Sequence, residues 1–466
     1  MSTLDSTLQS AATGSQGPRS LHRLFWRLHF WAGLITAPIV LFAAFTGLLY
    51  VFTPQIEAWR HAELDRVPVQ AQQRRSLDEQ VAAAQAALPG QVLRYAVPGF
   101  EPGDTTQVAF KPLAPQHAGH GGATVVHDHG LPMGTIAYVN PYTGQVVGTL
   151  REMERFKTWS KKLHSNALQG DRWRWPLELA ASWMLVMFGT GLYLWWPRAE
   201  QRRLAGWRAY WPRAGRGRTA WRDWHGLAAV VMGVVLCTLL VTGLTWSEYA
   251  GGRFKAMQKA LQQDSPRVPK SLRSSPSADA PSAEKSALSW QAVADRAQPL
   301  VPSVSVMITP PAGPQGVWRV ENFDRGQPRS RFGLALDAYS GQTLFYSGWD
   351  AMPLMSRATA IGIPFHRGEF GWWNQLLLVL AALTAIFSVV SGFVMWWMRR
   401  PQGRVAAPPV STAQWRAVTR PQGAGLLVLV GLLSYAMPLF GWSLLLFGFV
   451  EVLRLMFFVR PAAQAV

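Results

Sequence analysis

The sequence predicts an integral membrane protein, mainly α, with a duplicated four-helix transmembrane core and a C-terminal apolar region of one or two more helices. Two small α+β domains are expected outside the membrane. Three observations carry this. Four uncharged runs, at residues 28–56, 179–197, 226–247 and 370–398, are long enough to cross a bilayer, which takes roughly 20 mostly apolar residues. Charged residues make up only 15% of the 466-residue chain, against about 25% in an ordinary soluble protein. Motifs of the first half recur in the second at matching spacing. The single cysteine, Cys237, lies inside an apolar run, which excludes a disulfide scaffold, a Cys-ligated metal and a Cys-held iron–sulfur cluster.

Taken in order, residues 1–20 are polar and Ser/Thr-rich, and are expected to be a disordered cytoplasmic N-terminus. The first transmembrane segment, 21–56, exceeds the 7–15 apolar residues of a signal peptide and has no small-residue cleavage site, so it reads as a retained anchor. The first outer domain, 57–163, carries a helical pattern over 76–88 and alternating stretches at 92–97, 106–110 and 135–140, then a turn and 145–150. Segment 164–197 is the second transmembrane helix, 198–224 a loop, and 225–247 the third helix. The second outer domain, 248–365, contains a Ser/Pro/Ala-rich linker over 264–285, a helix over 289–300, and strands at 303–308, 316–322, 331–336 and 342–346. Segment 366–398 is the fourth helix and 399–422 a loop. The last region, 423–459, is long for one helix and short for two, and Pro438 in its middle is a candidate break.

The charges give orientation. The loop 198–224 has eight arginines against two acids, and 399–422 has five arginines and no acid. The long segments 57–163 and 248–369 are nearly balanced, at 11 bases against 10 acids and 14 against 10. The positive-inside rule then puts the N-terminus and both Arg-rich loops in the cytoplasm and both large domains in the periplasm. The excess of 45 Lys+Arg over 26 Asp+Glu is thus largely a topology signal, and nucleic acid is not an expected partner.

The halves repeat. His29 precedes Gly47 of Thr46-Gly47 by 18 residues, and His225 precedes Gly243 of Thr242-Gly243 by the same 18. His164 lies 27 residues before Gly191 of Thr190-Gly191, and His366 lies 26 before Gly392 of Ser391-Gly392. Helices end alike at Trp195-Trp196-Pro197-Arg198 and Trp396-Trp397-Met398-Arg399, and Tyr142-Thr143-Gly144-Gln145 answers Tyr339-Ser340-Gly341-Gln342. A two-fold arrangement of the halves would bring His29 to His225 at the cytoplasmic face and His164 to His366 at the outer face.

Neutral imidazole is a good axial ligand for haem iron. Two imidazoles from facing helices would clamp a porphyrin edge-on and leave no axial position for oxygen, which favours electron transfer. Arg23, Arg27 and Arg222 near the first pair, and Lys161, Lys162 and Arg367 near the second, are candidate contacts for its propionates. The plainer reading of each histidine is an interfacial anchor or a satisfied hydrogen-bonding group, and a duplicated structural cap would leave the same trace. The glycines of the Thr-Gly and Ser-Gly pairs are read as allowing close helix approach, and the Trp pairs as interface anchors. His117, His120, His127 and His129 cluster in a Gly-rich insertion whose spacing suits weak metal binding; a flexible polar loop is the simpler account. No phosphate loop, dinucleotide fingerprint or hydrolase elbow occurs in a convincing context, so electrons would come from a separate donor protein or from quinol.

Together the duplicated histidines, the Trp-Trp-Pro-Arg ending and the paired Tyr-Thr/Ser-Gly-Gln units resemble the PepSY-associated transmembrane proteins, over about residues 20–400. These are bacterial inner-membrane proteins, many iron-regulated, that include periplasmic ferrisiderophore reductases thought to carry b-type haem. The resemblance implies PepSY-like outer domains, two haems b with His29, His164, His225 and His366 as axial ligands, and reduction of a ferric siderophore or another periplasmic acceptor. The family also holds members of unknown activity, so membership leaves the substrate open. A cofactor-free sensor or peptidase modulator is the alternative; a transporter would want charged or unwound residues at mid-membrane.

Overall fold

The computed structural model describes residues 17–111, 134–197, 199–213, 215–275, 288–324, 326–400 and 420–458. The His-rich insertion falls outside the described residues. In chain order the main elements begin with α1 (Gly17–Val51), α2 (Leu77–Ala87), β1 (Val92–Val97), β2 (Thr106–Lys111), β3 (Thr135–Val139) and β4 (Val146–Arg151). Helices α3 (Phe156–Asn166), α4 (Trp175–Trp195), α5 (Arg218–Val231), α6 (Gly233–Leu244), α7 (Tyr249–Ala260) and α8 (Trp290–Ala297) follow. The chain closes with β5 (Val306–Thr309), β6 (Val317–Asn322), β7 (Gly333–Asp337), β8 (Thr343–Ser347), α9 (Leu354–Arg367), α10 (Trp372–Arg399), α11 (Arg420–Ala436) and α12 (Pro438–Phe458). These elements form two compact units, one from Met1–Leu48, Arg174–Met257 and Leu376–Val466, the other from Leu49–Trp173 and Gln258–Gln375.

The first unit is helical. Among the described residues, Leu21–Val51, Asp171–Trp195 and Trp372–Arg399 are long and apolar enough to cross a membrane. The stretch expected as one straight third span is instead bent by 62° between α5 and α6. Met232 at the joint has ψ 3°, and a Cβ on Gly233 would meet the Phe188 ring at 2.5 Å. The bend brings the α6 backbone against an aromatic side chain, an approach that glycine allows. The C-terminal apolar region is two helices: the first ends at Ala436 and Pro438 opens the second, where its missing N–H costs nothing. Phe440 is fully buried, with its ring edge-on to Trp183 at 4.9 Å. Trp183 Nε1 donates to Ser443 Oγ at 2.9 Å. Leu427, Leu432, Leu445 and Phe449 are exposed, as lipid-facing residues of a membrane helix would be.

Two polar devices lie inside this unit. Arg27 of α1 pairs with Glu451 of α12. Glu178, buried in the first turn of α4, accepts from the backbone N–H groups of Tyr249 (3.0 Å) and Ala250 (2.8 Å), capping α7.

The second unit contains, among the described residues, one eight-stranded antiparallel sheet in the order β4-β3-β2-β1-β5-β6-β7-β8. Each half is a four-stranded meander preceded by a helix. Alternation in the sequence sets the strand faces: Val108 and Phe110 of β2, Ala137 and Val139 of β3, and Val320 of β6 all enter one core with Val81 of α2 and Val293 of α8. Where the meanders join, β1 and β5 share a single residue pair, Ala96 with Ile308. The helices add a second tie, since Asp78 of α2 accepts from the N–H groups of Trp290 (2.8 Å) and Gln291 (3.1 Å) at the start of α8. Both expected turns form alike. Asn140 Oδ1 accepts from Tyr142 N at 2.9 Å and Asp337 Oδ1 from Tyr339 N at 2.9 Å. Gly144 and Gly341 then take φ of 72° and 69°, a conformation suited to glycine.

Candidate functional site

The site builds from two imidazoles in the helical unit. His29 sits on α1 and His225 on α5, with ring centroids 6.4 Å apart and ring planes at 75°. Each is held by a hydroxyl from another helix. His29 Nδ1 lies 3.1 Å from Thr190 Oγ1 of α4, and His225 Nδ1 lies 2.8 Å from Ser391 Oγ of α10. Those hydroxyls spend their own protons on helix carbonyls: Thr190 on Met187 O at 3.2 Å, Ser391 on Phe387 O at 2.6 Å. With those protons on the carbonyls, each hydroxyl oxygen can accept from Nδ1–H. In that tautomer Nε2 keeps the lone pair a metal needs, as in metal sites where the second ring nitrogen is tied down.

The spacing can be tested against a shared metal. A metal–imidazole bond is about 2.0 Å and the nitrogen lies roughly 1.1 Å from its ring centre, so two imidazoles on opposite sides of one metal have centroids about 6 Å apart. The observed 6.4 Å fits. The 75° between the rings is allowed, because two ligands of one metal need share only the metal–nitrogen axis and not a plane.

Both histidines open on a cavity of about 1110 Å³ in the helical unit. Its walls include Trp26, Phe30, Phe188, Trp195 and Trp396, matching the apolar lining of cofactor sites. Gly191 and Gly392 belong to it as well. A Cβ on Gly191 would stand 3.0 Å from His29 Cε1, whereas one on Gly392 would meet nothing within 4 Å. Gly191 therefore makes room for the imidazole, and Gly392 keeps the wall flat. Trp195 and Trp396, expected only as interface anchors, line the cavity. A Cβ on Gly226 would overlap Trp195, so that glycine seats the indole on α5.

The remaining candidates take other places. Arg27 is engaged with Glu451 and Arg23 is exposed. Arg222 lines the cavity and donates to Asp223 at 2.8 Å. His22 also lines the cavity, its ring 6.3 Å from that of Tyr193.

In the second unit His164 and His366 are half-buried, each in the last turn of its helix. Both helices end on a left-handed residue, Ala167 (φ 52°) and Gly368 (φ 74°). The helix of His164 is anchored at its start, where Arg155 pairs with Glu57 (2.6 Å) and Asp65 (2.7 Å). Tyr138 beneath Arg155 is pushed up to about 12, chiefly by burial, so its hydroxyl stays protonated. The helix of His366 is pinned by Ser356 Oγ donating to Gln263 O at 2.7 Å and Asn374 Nδ2 donating to Phe365 O at 3.0 Å. Arg367 donates to Tyr50 Oη at 3.0 Å and pairs with Glu369 at 2.7 Å. Lys162 is buried, 3.4 Å from Asp171, and Lys161 is exposed. His117, His120, His127 and His129 lie outside the described residues; among those described, no group of three or more His, Cys, Asp or Glu is placed to hold a metal ion.

Three parts of the site were not expected as site residues from the sequence: the hydroxyls of Thr190 and Ser391, the indole of Trp195, and Arg399, whose guanidinium lies 4.5 Å over Trp26. All three sat in plain view within the repeated Thr/Ser-Gly motifs and Trp-Trp endings. Among curated proteins, none matches the chain. The family model for the PepSY-associated TM region matches residues 26–399, a stretch that contains both imidazoles, both hydroxyls and the whole sheet. The chain belongs to the PepSY-associated transmembrane family.

Proposed function

We propose that this membrane protein binds haem b between His29 and His225 and transfers electrons across a bacterial inner membrane to a periplasmic acceptor. Ferric siderophore is the favoured acceptor, which makes the activity that of a ferric-chelate reductase. The observation that supports this most is the imidazole pair, spaced for one shared metal with a hydroxyl within hydrogen-bond reach of each Nδ1. When bound between His29 and His225, haem b would supply reversible one-electron transfer. The protein's own residues do the rest. Thr190 and Ser391 hold the ring planes and tautomers, the aromatic walls exclude water, and Gly191 and Gly392 leave space for a flat occupant.

On this reading the chain is an internal duplication with two PepSY-like domains. The N-terminus and Arg-rich loops face the cytoplasm, and the outer domains face the periplasm. His164 and His366, alike in their helix-end positions, would serve a second haem nearer the acceptor. Electrons would come from a donor protein or quinol. Reduction to Fe(II) weakens the grip of hard oxygen chelators on the metal, which releases iron.

The test is the reduced-minus-oxidised spectrum of purified full-length protein from haem-replete cells. A bis-imidazole b-haem Soret and a sharp α band are expected on dithionite reduction. A colourless preparation ends the reading and leaves the cofactor-free sensor.

A further inference from the structure

The cavity concentrates its charge in a few side chains. Arg208, Arg213, Arg218, Arg222 and Arg399 line it, together with one carboxylate, Asp223. That carboxylate takes two of the five, Arg222 at 2.8 Å and Arg213 at 3.3 Å. Arg208 lies 5.9 Å over the ring of Trp207. Arg399 lies against the wall, 4.5 Å over Trp26 and 5.3 Å over Phe30, and Arg218 lines the same cavity. Guanidiniums lining an apolar cavity suit an anion.

Their positions suit an anion on a flat ligand. Arg218 precedes His225 on the same helix by seven residues, and Arg399 follows Ser391, the partner of His225, by eight. At about 1.5 Å per residue both lie some 10–12 Å along their helices from the imidazole level. A carboxylate carried about six bonds from the centre of a macrocycle, at roughly 1.5 Å a bond, reaches on the order of 8 Å. The forked guanidinium supplies the remaining reach and binds carboxylate with two donors.

We infer that Arg218 and Arg399 form an acid-binding subsite that receives the carboxylates at the edge of the cavity's occupant. If that occupant is haem b, these are its propionates, and the assignment rests on the haem reading. It names residues other than Arg27 and Arg222, the arginines expected from the sequence, which pair with Glu451 and Asp223.

The experiment titrates haem-depleted full-length protein in detergent with haem b and, separately, with haem b dimethyl ester, following the Soret band. Wild type should prefer the free acid by about 10-fold or more, the worth of hydrogen bonds to a charged group. R399Q and R218Q should each cut that preference several-fold, R218Q/R399Q should abolish it, and R222Q should retain it. The charge-preserving R218K/R399K should prefer the acid again, which separates loss of the subsite from loss of the fold. Equal binding of acid and ester by wild type, or an undiminished preference in R218Q/R399Q, overturns the subsite and leaves the haem reading standing. Wild type that binds neither compound overturns both.

Discussion

At the scale of single residues, the site depends on groups that bind nothing themselves. Thr190 and Ser391 lie within hydrogen-bond reach of the imidazoles, and on the haem reading replacing such second partners of metal ligands costs roughly 10–100-fold in affinity or activity. T190V should therefore loosen haem and shift its midpoint potential, while T190S, which keeps the hydroxyl, should stay near wild type; a potentiometric titration of both variants is the check. The sequence showed Thr-Gly and Ser-Gly in register but did not tell which member mattered, because a hydroxyl that caps its own helix and one that holds a neighbour's imidazole are written with the same letter. His61 is a second case. It is buried, and burial first, then the charge of Arg155, hold its pKa below the ordinary histidine range against the pull of Glu57 and Asp65. The unfolded chain takes up that proton near pH 6.5 and the folded chain only lower. Stability from neutral His61 is thus fully present above about pH 6.5 and is lost as pH falls through the folded value. Denaturation of full-length protein at pH 7.5 and 5.0 should show a loss that H61Q reduces.

At the scale of elements, alternation and apolar runs made the strands and spans legible. The stretches 92–97 and 106–110 became β1 and β2 nearly residue for residue, because one face of each is buried against α2 and leaves register little freedom. The bend at Met232 was not legible. It sets Gly233 against Phe188, a side chain 45 positions earlier whose approach the run 226–247 does not encode. The same holds for Glu178, which sits one residue before an apolar run and looks like an ordinary helix-start acid until α7 is seen resting on it. Leaving a buried charge without its partner costs on the order of 1–3 kcal/mol, so in this part-buried pair E451A should destabilise the packing of α12, while R27M/E451L should recover much of the loss. Thermal melts in one detergent would compare them. In the sheet unit, Asp78→Ala should cost about 1–2 kcal/mol, the worth of a helix cap, by uncovering the start of α8.

At the scale of the whole molecule, the apolar runs gave the membrane class, the repeated histidine, Trp-Trp and Tyr-Thr/Ser-Gly-Gln motifs gave the family, and their spacing gave the histidine pair that meets. It gave neither the acid-binding end of the cavity nor the tie between α1 and α12. Arg218 and Arg399 belong to stretches that the positive-inside rule already accounts for, and Arg27 and Glu451 lie 424 positions apart. If both pairs of histidines hold haem, His29→Ala and His225→Ala should each lose about half of the total, with the remainder spectrally intact; pyridine haemochromogen assay gives the count. The join between β1 and β5 carries a consequence of its own. One residue pair spans it, yet Ala96 and Ile308 are fully buried, and α2 and α8 share a core with strands from both meanders. The main chain contributes little to that seam and the shared oil contributes most. Neither lobe would survive excision: cut free, each would present a raw apolar wall and clump, so anything that grips this unit meets both lobes as a single body.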